Sequence, residues 1–169
     1  LTELIDYSRP MSLEKNETNL EKTLLEVINL IKPSFEKENI NLSFENKLNS
    51  NCKVVFDRRK VHQAVLNIVK NALEVSKAGD KVKVIVDYNS EGDSVSIKIS
   101  DEGCGITEEH RKKIFTPYFT TKKGGTGLGL AQARKIMEAH GGSLLISSTS
   151  TKGTTFIMSL PAELIYMGV

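Results

Sequence analysis

Three short stretches carry residue types suited to a charged ligand. The densest is Gly124-Gly125-Thr126-Gly127-Leu128-Gly129-Leu130. Glycines let backbone amides approach a ligand closely. The run opens directly into a helical pattern, whose N-terminal N–H groups and dipole attract anions. A phosphate is the natural guest, although the same run also reads as a flexible connection before a helix. No Lys-Ser/Thr pair follows it, so it is not a GxxxxGK[ST] phosphate loop. In Asp101-Glu102-Gly103-Cys104-Gly105-Ile106 a strand ends in a carboxylate, and two glycines open space beside it. An ionised Asp only accepts hydrogen bonds, so Asp101 could read an exocyclic amine such as that of adenine. Taken alone, an ordinary acidic turn is the commoner reading. Asn67 and Asn71 lie four apart on a helical stretch and share a face. Gln63 and Glu74 extend the stripe. Asn carbonyl oxygens are hard ligands suited to Mg²⁺ beside phosphate, and a solvated helix face looks the same.

Thr120-Thr121-Lys122-Lys123 precedes the glycine run and supplies hydroxyls and cations that could meet phosphate charge. Phe115 reads as core, while Tyr118 and Phe119 fall in a loop that could close over a ligand. The three histidines have no ligand spacing. His62 and His110 read as surface residues, and His140 as a helix-end residue favourable to the dipole. No cationic group is placed to activate Cys104, which reads as a small packing residue.

The chain that must position these residues has 169 residues, enough for one domain with a real core. A charged fraction of 26% with 39% hydrophobic residues is close to the globular average and excludes disorder and collagen-like sequence. The net charge of +2, from 23 basic and 21 acidic residues, offers no argument for nucleic acid or membrane. No apolar run reaches membrane-spanning length, and no leader pattern opens the chain. Two distant cysteines suit a reducing cytosol. Leu1 in place of Met suggests a piece of something longer.

Leu1 to Tyr7 has helical spacing, ended by Pro10, and Met11 to Glu17 reads as a polar linker. Thr18 with Glu21 forms a capping box. The helix it opens buries Leu20, Leu24, Val27, Ile28 and Ile31, and Pro33 is expected to kink or interrupt it. Alternation predicts strands at Ile40–Phe44 and Lys53–Phe56, and hairpins at 81–101 and 143–160. Further helices are expected at 58–77, 108–115 and 127–140. The order α–ββ–α–ββ–loop–α–ββ predicts an α+β two-layer sandwich, with helices on one face of a mixed, mostly antiparallel sheet.

Together and in this order, the motifs resemble the catalytic ATP-binding domain of bacterial two-component sensor histidine kinases, of the Bergerat-fold ATPase superfamily. "QAVLNIVKNA" at 63–72 resembles the N box and "DEGCGI" at 101–106 the first glycine box. "IFTPYFTTKKGGTGLGLA" at 114–131 resembles the F box, lid and second glycine box. "HGGSL" at 140–144 and "GTTF" at 153–156 fit the closing hairpin. The resemblance covers about 18–161, taken as the catalytic domain. Residues 1–17 resemble the end of the dimerisation and phosphoacceptor hairpin plus a linker, and 162–169 are taken as a tail.

The resemblance implies ATP and Mg²⁺ as cofactors. Asn71 would hold the metal, with Asn67 supporting it. Asp101 would bind the adenine amine, with Gly103, Gly105, Ile106 and Thr154 around the adenine. Gly125, Thr126, Gly127, Leu128 and Gly129 would follow the triphosphate, and Lys122 would reach it from the lid. Many members carry Lys or Arg, then an aromatic, shortly after the second Asn. Here Glu74 and Val75 stand there, so Lys122 or Lys123 is expected to supply the charge. The phosphoacceptor His of the family precedes an acidic residue, and none of the three histidines does. The implied reaction is transfer of the γ-phosphoryl group to a histidine on the missing hairpin. The implied partners are that hairpin and a response regulator, in a cytoplasmic setting, with the piece monomeric and its parent dimeric. A hydrolytic gyrase- or chaperone-type ATPase is the alternative, disfavoured by Asn67 in place of Glu. A nucleotide sensor without phosphotransfer is disfavoured by Asn71, Lys122 and the glycines.

Overall fold

The computed structural model describes residues 10–165, so the expected helix at Leu1–Tyr7 lies outside the described residues. Strand β1 (Asn16–Glu17) leads into helix α1 (Leu20–Lys37), strand β2 (Asn41–Asn46), and the short strands β3 (Cys52–Lys53) and β4 (Val55–Phe56). Helix α2 (Arg58–Val75) is followed by the hairpin β5 (Lys81–Asn89) and β6 (Ser94–Ser100). A short α3 (Glu108–Arg111) and a long loop precede α4 (Gly129–Ala139), and β7 (Ser143–Ser150), β8 (Gly153–Pro161) and β9 (Glu163–Leu164) follow.

The main sheet has the order β2-β5-β6-β8-β7, and only the β2–β5 pair is parallel. Period-two alternation sends one set of side chains to a single face. The registered row Phe44, Val84, Ile99, Phe156 and Ile146 crosses all five strands. Three helices cover that face, with α2 packed between α1 and α4. The expected two-layer sandwich is therefore what forms.

In α1 the buried residues are Leu20, Thr23, Leu24, Val27, Ile28, Ile31 and Phe35. Its cap is Asn19, not Thr18: the Asn19 side chain accepts from Lys22 N–H at 3.0 Å, and Thr18 Oγ1 instead donates to the Asn16 carbonyl. Nor does Pro33 end the helix, which runs four residues further. Pro33 is exposed, and so is Asn29, whose carbonyl Pro33 cannot bond. Buried Phe35 holds the last turn to the core.

The segment expected to be a linker pairs in part, as Asn16–Glu17 run antiparallel to Val55–Phe56. Glu163–Leu164 pair with Cys52–Lys53. His140 stands at the end of α4, as expected, but is buried there. The Asp57 N–H donates to its Nε2 at 3.0 Å, which leaves Nδ1 as the donor to the Ile136 carbonyl at 2.7 Å. A neutral imidazole thus ties the end of α4 to the start of α2. Asp57 in turn caps α2 by accepting from Lys60 N–H. Burial pushes the Asp57 carboxyl up, but backbone N–H donors from Glu14, Lys60 and Arg59 bring it net below its ordinary range.

His140→Leu keeps the bulk but leaves the buried Asp57 N–H without a partner. It should lower stability by about 1–3 kcal/mol, read from the urea midpoint at constant slope.

Candidate functional site

One stripe of α2 faces away from the core, carrying Asn67, Asn71 and Glu74 at i, i+4 and i+7. Opposite it lies the loop between α3 and α4. Between them is a cleft of about 290 Å³. Of the expected site residues, Asn67, Asn71, Gly105, Ile106, Lys122, Gly125, Thr126, Gly127 and Gly129 line it. Asp101, Gly103, Leu128 and Thr154 do not form its wall. Asp101 and Thr154 are buried, at 7% and 4% exposure.

Asp101 is reached through hydrogen bonds. Its Oδ1 accepts from the N–H groups of Gly103 at 2.9 Å and Thr154 at 3.2 Å. Its N–H donates to the Thr154 carbonyl. Oδ2 is thereby left for another donor. Burial pushes the Asp101 carboxyl up, and the two N–H groups only partly counter this, so it titrates above its ordinary range. Thr149 was not anticipated. Its Oγ1 accepts from Ile106 N–H at 2.9 Å and lies 2.8 Å from Thr154 Oγ1, joining the glycine turn to the sheet. No sequence pattern marks it, because the contact spans 43 residues.

Gly105 must be glycine: its φ is +82°, and a Cβ there would sit 1.8 Å from the Ser150 carbonyl oxygen. Gly127, at φ +73°, would place a Cβ 2.4 Å from the Tyr118 backbone. Tyr118 N–H donates to the Gly127 carbonyl at 2.9 Å, so the loop is pinched at its base. Tyr118 itself holds a φ of +69°, which is strained for a bulky residue. Beyond the pinch, no side chain caps the first turn of α4, and its N–H groups remain for an anion. Asn67 Nδ2 donates to the Gly129 carbonyl at 3.1 Å, fixing that turn against α2.

Lys122 crosses the cleft. Its ammonium donates to Asn71 Oδ1 at 2.6 Å and pairs with the Glu74 carboxylate. His110, expected to be solvated, is half-buried at the cleft and packs edge-on against Phe119 at 5.4 Å. Cys104 is exposed on the cleft wall rather than packed. Phe115 meets the core ring of Phe156, as expected, with Arg134 over its face.

An amide-lined cleft with an uncapped helix start, a cation and a recessed carboxylate, on a two-layer sandwich, has the chemistry of a site for a phosphorylated ligand. A sequence profile described as "Histidine kinase-, DNA gyrase B-, and HSP90-like ATPase" matches residues 56–164, and the chain belongs to that family. It is similar to Sporulation kinase E of Bacillus subtilis, at 30% identity over 96% of the chain and 22% of that protein. The chain thus spans about a fifth of that relative's length. It also resembles the solved catalytic domain of the histidine kinase ThkA, at 35% identity and a TM-score of 0.78, over 88% of this chain and 97% of that one. A structure of ThkA in complex with the response regulator TrrA matches at 32% identity and a TM-score of 0.78, over 95% of this chain and 45% of that one. Within the family, this chain is an ATP-binding catalytic domain of the sensor-kinase kind.

Asp101→Asn retains an acceptor for both N–H groups and removes a buried charge. The ligand-free variant should therefore be at least as stable as the parent at neutral pH. The parent, whose carboxyl takes up its proton at a raised pKa, regains stability as pH falls, so the gap should narrow in mild acid. Urea unfolding at the two pH values reads this directly.

Proposed function

We propose that this domain binds Mg²⁺-ATP and donates the γ-phosphoryl group to a histidine on a helical hairpin outside the described residues. The observation that carries the reading is the convergence on one cleft of Asn71, Lys122, the uncapped start of α4 and, behind the glycine turn, Asp101. Residues 18–161 form the catalytic domain in this reading, 1–17 the end of the hairpin with its linker, and 162–169 a tail.

Asp101 Oδ2 accepts from the adenine amine, with Gly103, Gly105, Ile106 and Thr154 shaping that slot. Gly125, Thr126, Gly127, Leu128 and Gly129 follow the triphosphate, and Lys122 meets its charge. Asn71 fits the metal: its Oδ1 is a hard carbonyl ligand that already accepts a cation's hydrogen bond. Among the described residues no group of three His, Cys, Asp or Glu side chains could hold a metal, so the ion would share its ligands with the phosphates. Bound there, Mg²⁺ neutralises charge on the phosphate oxygens. The acceptor imidazole nitrogen attacks the γ-phosphorus, the bond to the bridging oxygen breaks, and ADP leaves.

Asn67 has no basic site near neutral pH, and its Nδ2 is engaged by Gly129. Nothing at that position takes a proton from water, which favours transfer over hydrolysis. In this reading the domain works in the cytoplasm and its parent kinase is a homodimer, with a response regulator as the next acceptor. The complex of ThkA with TrrA supports that partner. No helix among the described residues is long and apolar enough to cross a membrane.

Mixed with a separately made phosphoacceptor hairpin and γ-labelled ATP, the domain should place label on the hairpin's histidine. Label only in free phosphate would mean a hydrolytic ATPase, and no label in either would mean a sensor module. Asp101→Asn should weaken ADP binding by about 10–150-fold, the cost of roughly 1.5–3 kcal/mol for a lost charge-assisted bond. Calorimetric titration measures it.

A further inference from the structure

We infer that Glu74 is a selectivity residue, which latches Lys122 across the cleft and makes the site discriminate metal-bound from metal-free nucleotide. The inference rests on the nucleotide-binding role proposed above. Glu74 stands in the last turn of α2, which carries no basic residue. An acidic side chain there opposes the helix dipole, and it contributes nothing to the core, since its side chain is 52% exposed. Its partner comes from the lid. Lys122 bridges Glu74 and Asn71 Oδ1 at once, so one ammonium spans both groups where the cleft opens.

Two consequences follow from the charges. The Asn71 oxygen that would bind a metal is already engaged by the Lys122 ammonium, and two cations crowded at that oxygen repel. Metal-nucleotide must therefore move Lys122 off Asn71 before it can seat, and its apparent affinity is lowered by the fraction of lids that are latched. A nucleotide without its metal is spared that crowding but meets a larger obstacle, the carboxylate itself. Its phosphates approach the Glu74 carboxylate with no divalent charge between them, while Lys122, the nearest cation of the lid, is held by that same carboxylate. Glu74 thus penalises free nucleotide more than metal-nucleotide.

The test is Glu74→Gln, which keeps shape and removes charge at an exposed position. Two readouts apply to the ligand-free and ligand-bound chain. Hydrogen exchange of residues 119–126 without nucleotide should be faster in the variant, because one arm of the latch is gone. In a Lys122→Met background the same substitution should leave lid exchange unchanged. ADP titrated in the presence of a chelator should bind Glu74→Gln about 3- to 5-fold more tightly than the parent, while Mg²⁺-ADP should change by less than about 2-fold. Unchanged lid exchange would overturn the latch. An equal change in both affinities, or none in either, would overturn the selectivity. If the unmodified chain bound no adenine nucleotide, the proposed function would fail, and the exchange measurement would still decide the latch.

Discussion

Helix α2 must satisfy two environments at once, and the rest of the structure is arranged around that demand. Val61, Ala64, Val65, Ile68, Val69 and Ala72 are buried against the sheet and the neighbouring helices. Asn67, Asn71 and Glu74 occupy the side facing the cleft. The 3.6-residue period separates the two sets without any irregularity. Because the core side is closely packed, the polar side has little freedom to shift. The helix is further anchored at its start, where Asp57 caps it and His140 receives the Asp57 N–H. A small error in the core face would therefore displace the amide stripe relative to everything it must meet.

The recessed carboxylate poses the opposite problem. Asp101 is held by backbone N–H groups of its own turn and of β8, and burial still raises its pKa. A charged carboxylate in such a place works against folding. The Thr149 hydroxyl shows how the turn is kept in register: it joins Ile106 to Thr154 across the end of the sheet. The adenine slot proposed here would be set by those bonds as much as by the glycines that open it.

The loop between α3 and α4 combines a tight base with a polar tip. Tyr118 and Gly127 both adopt left-handed backbone and hydrogen-bond to each other. Between them most residues are exposed, and the tip is tied to α2 mainly through Lys122. Such a contact is worth little in water, so the loop can reorganise when a ligand supplies better partners.

The mostly antiparallel sheet, its covering helices and nine of the cleft-lining residues were legible in the sequence. The apolar periods are local and the glycine-rich segments are contiguous, so neither needs a tertiary contact to be recognised. Local rules also mislead where they compete. Asn19 displaced Thr18 as the cap, and solvent at Asn29 let α1 continue past Pro33. What only the tertiary structure decided are the contacts between distant segments: His140 with Asp57, Thr149 with Ile106, Lys122 with Asn71 and Glu74. Side-chain type and spacing show which groups could bind a charge. They do not show which of those groups will satisfy one another first, because that depends on which surfaces folding brings face to face.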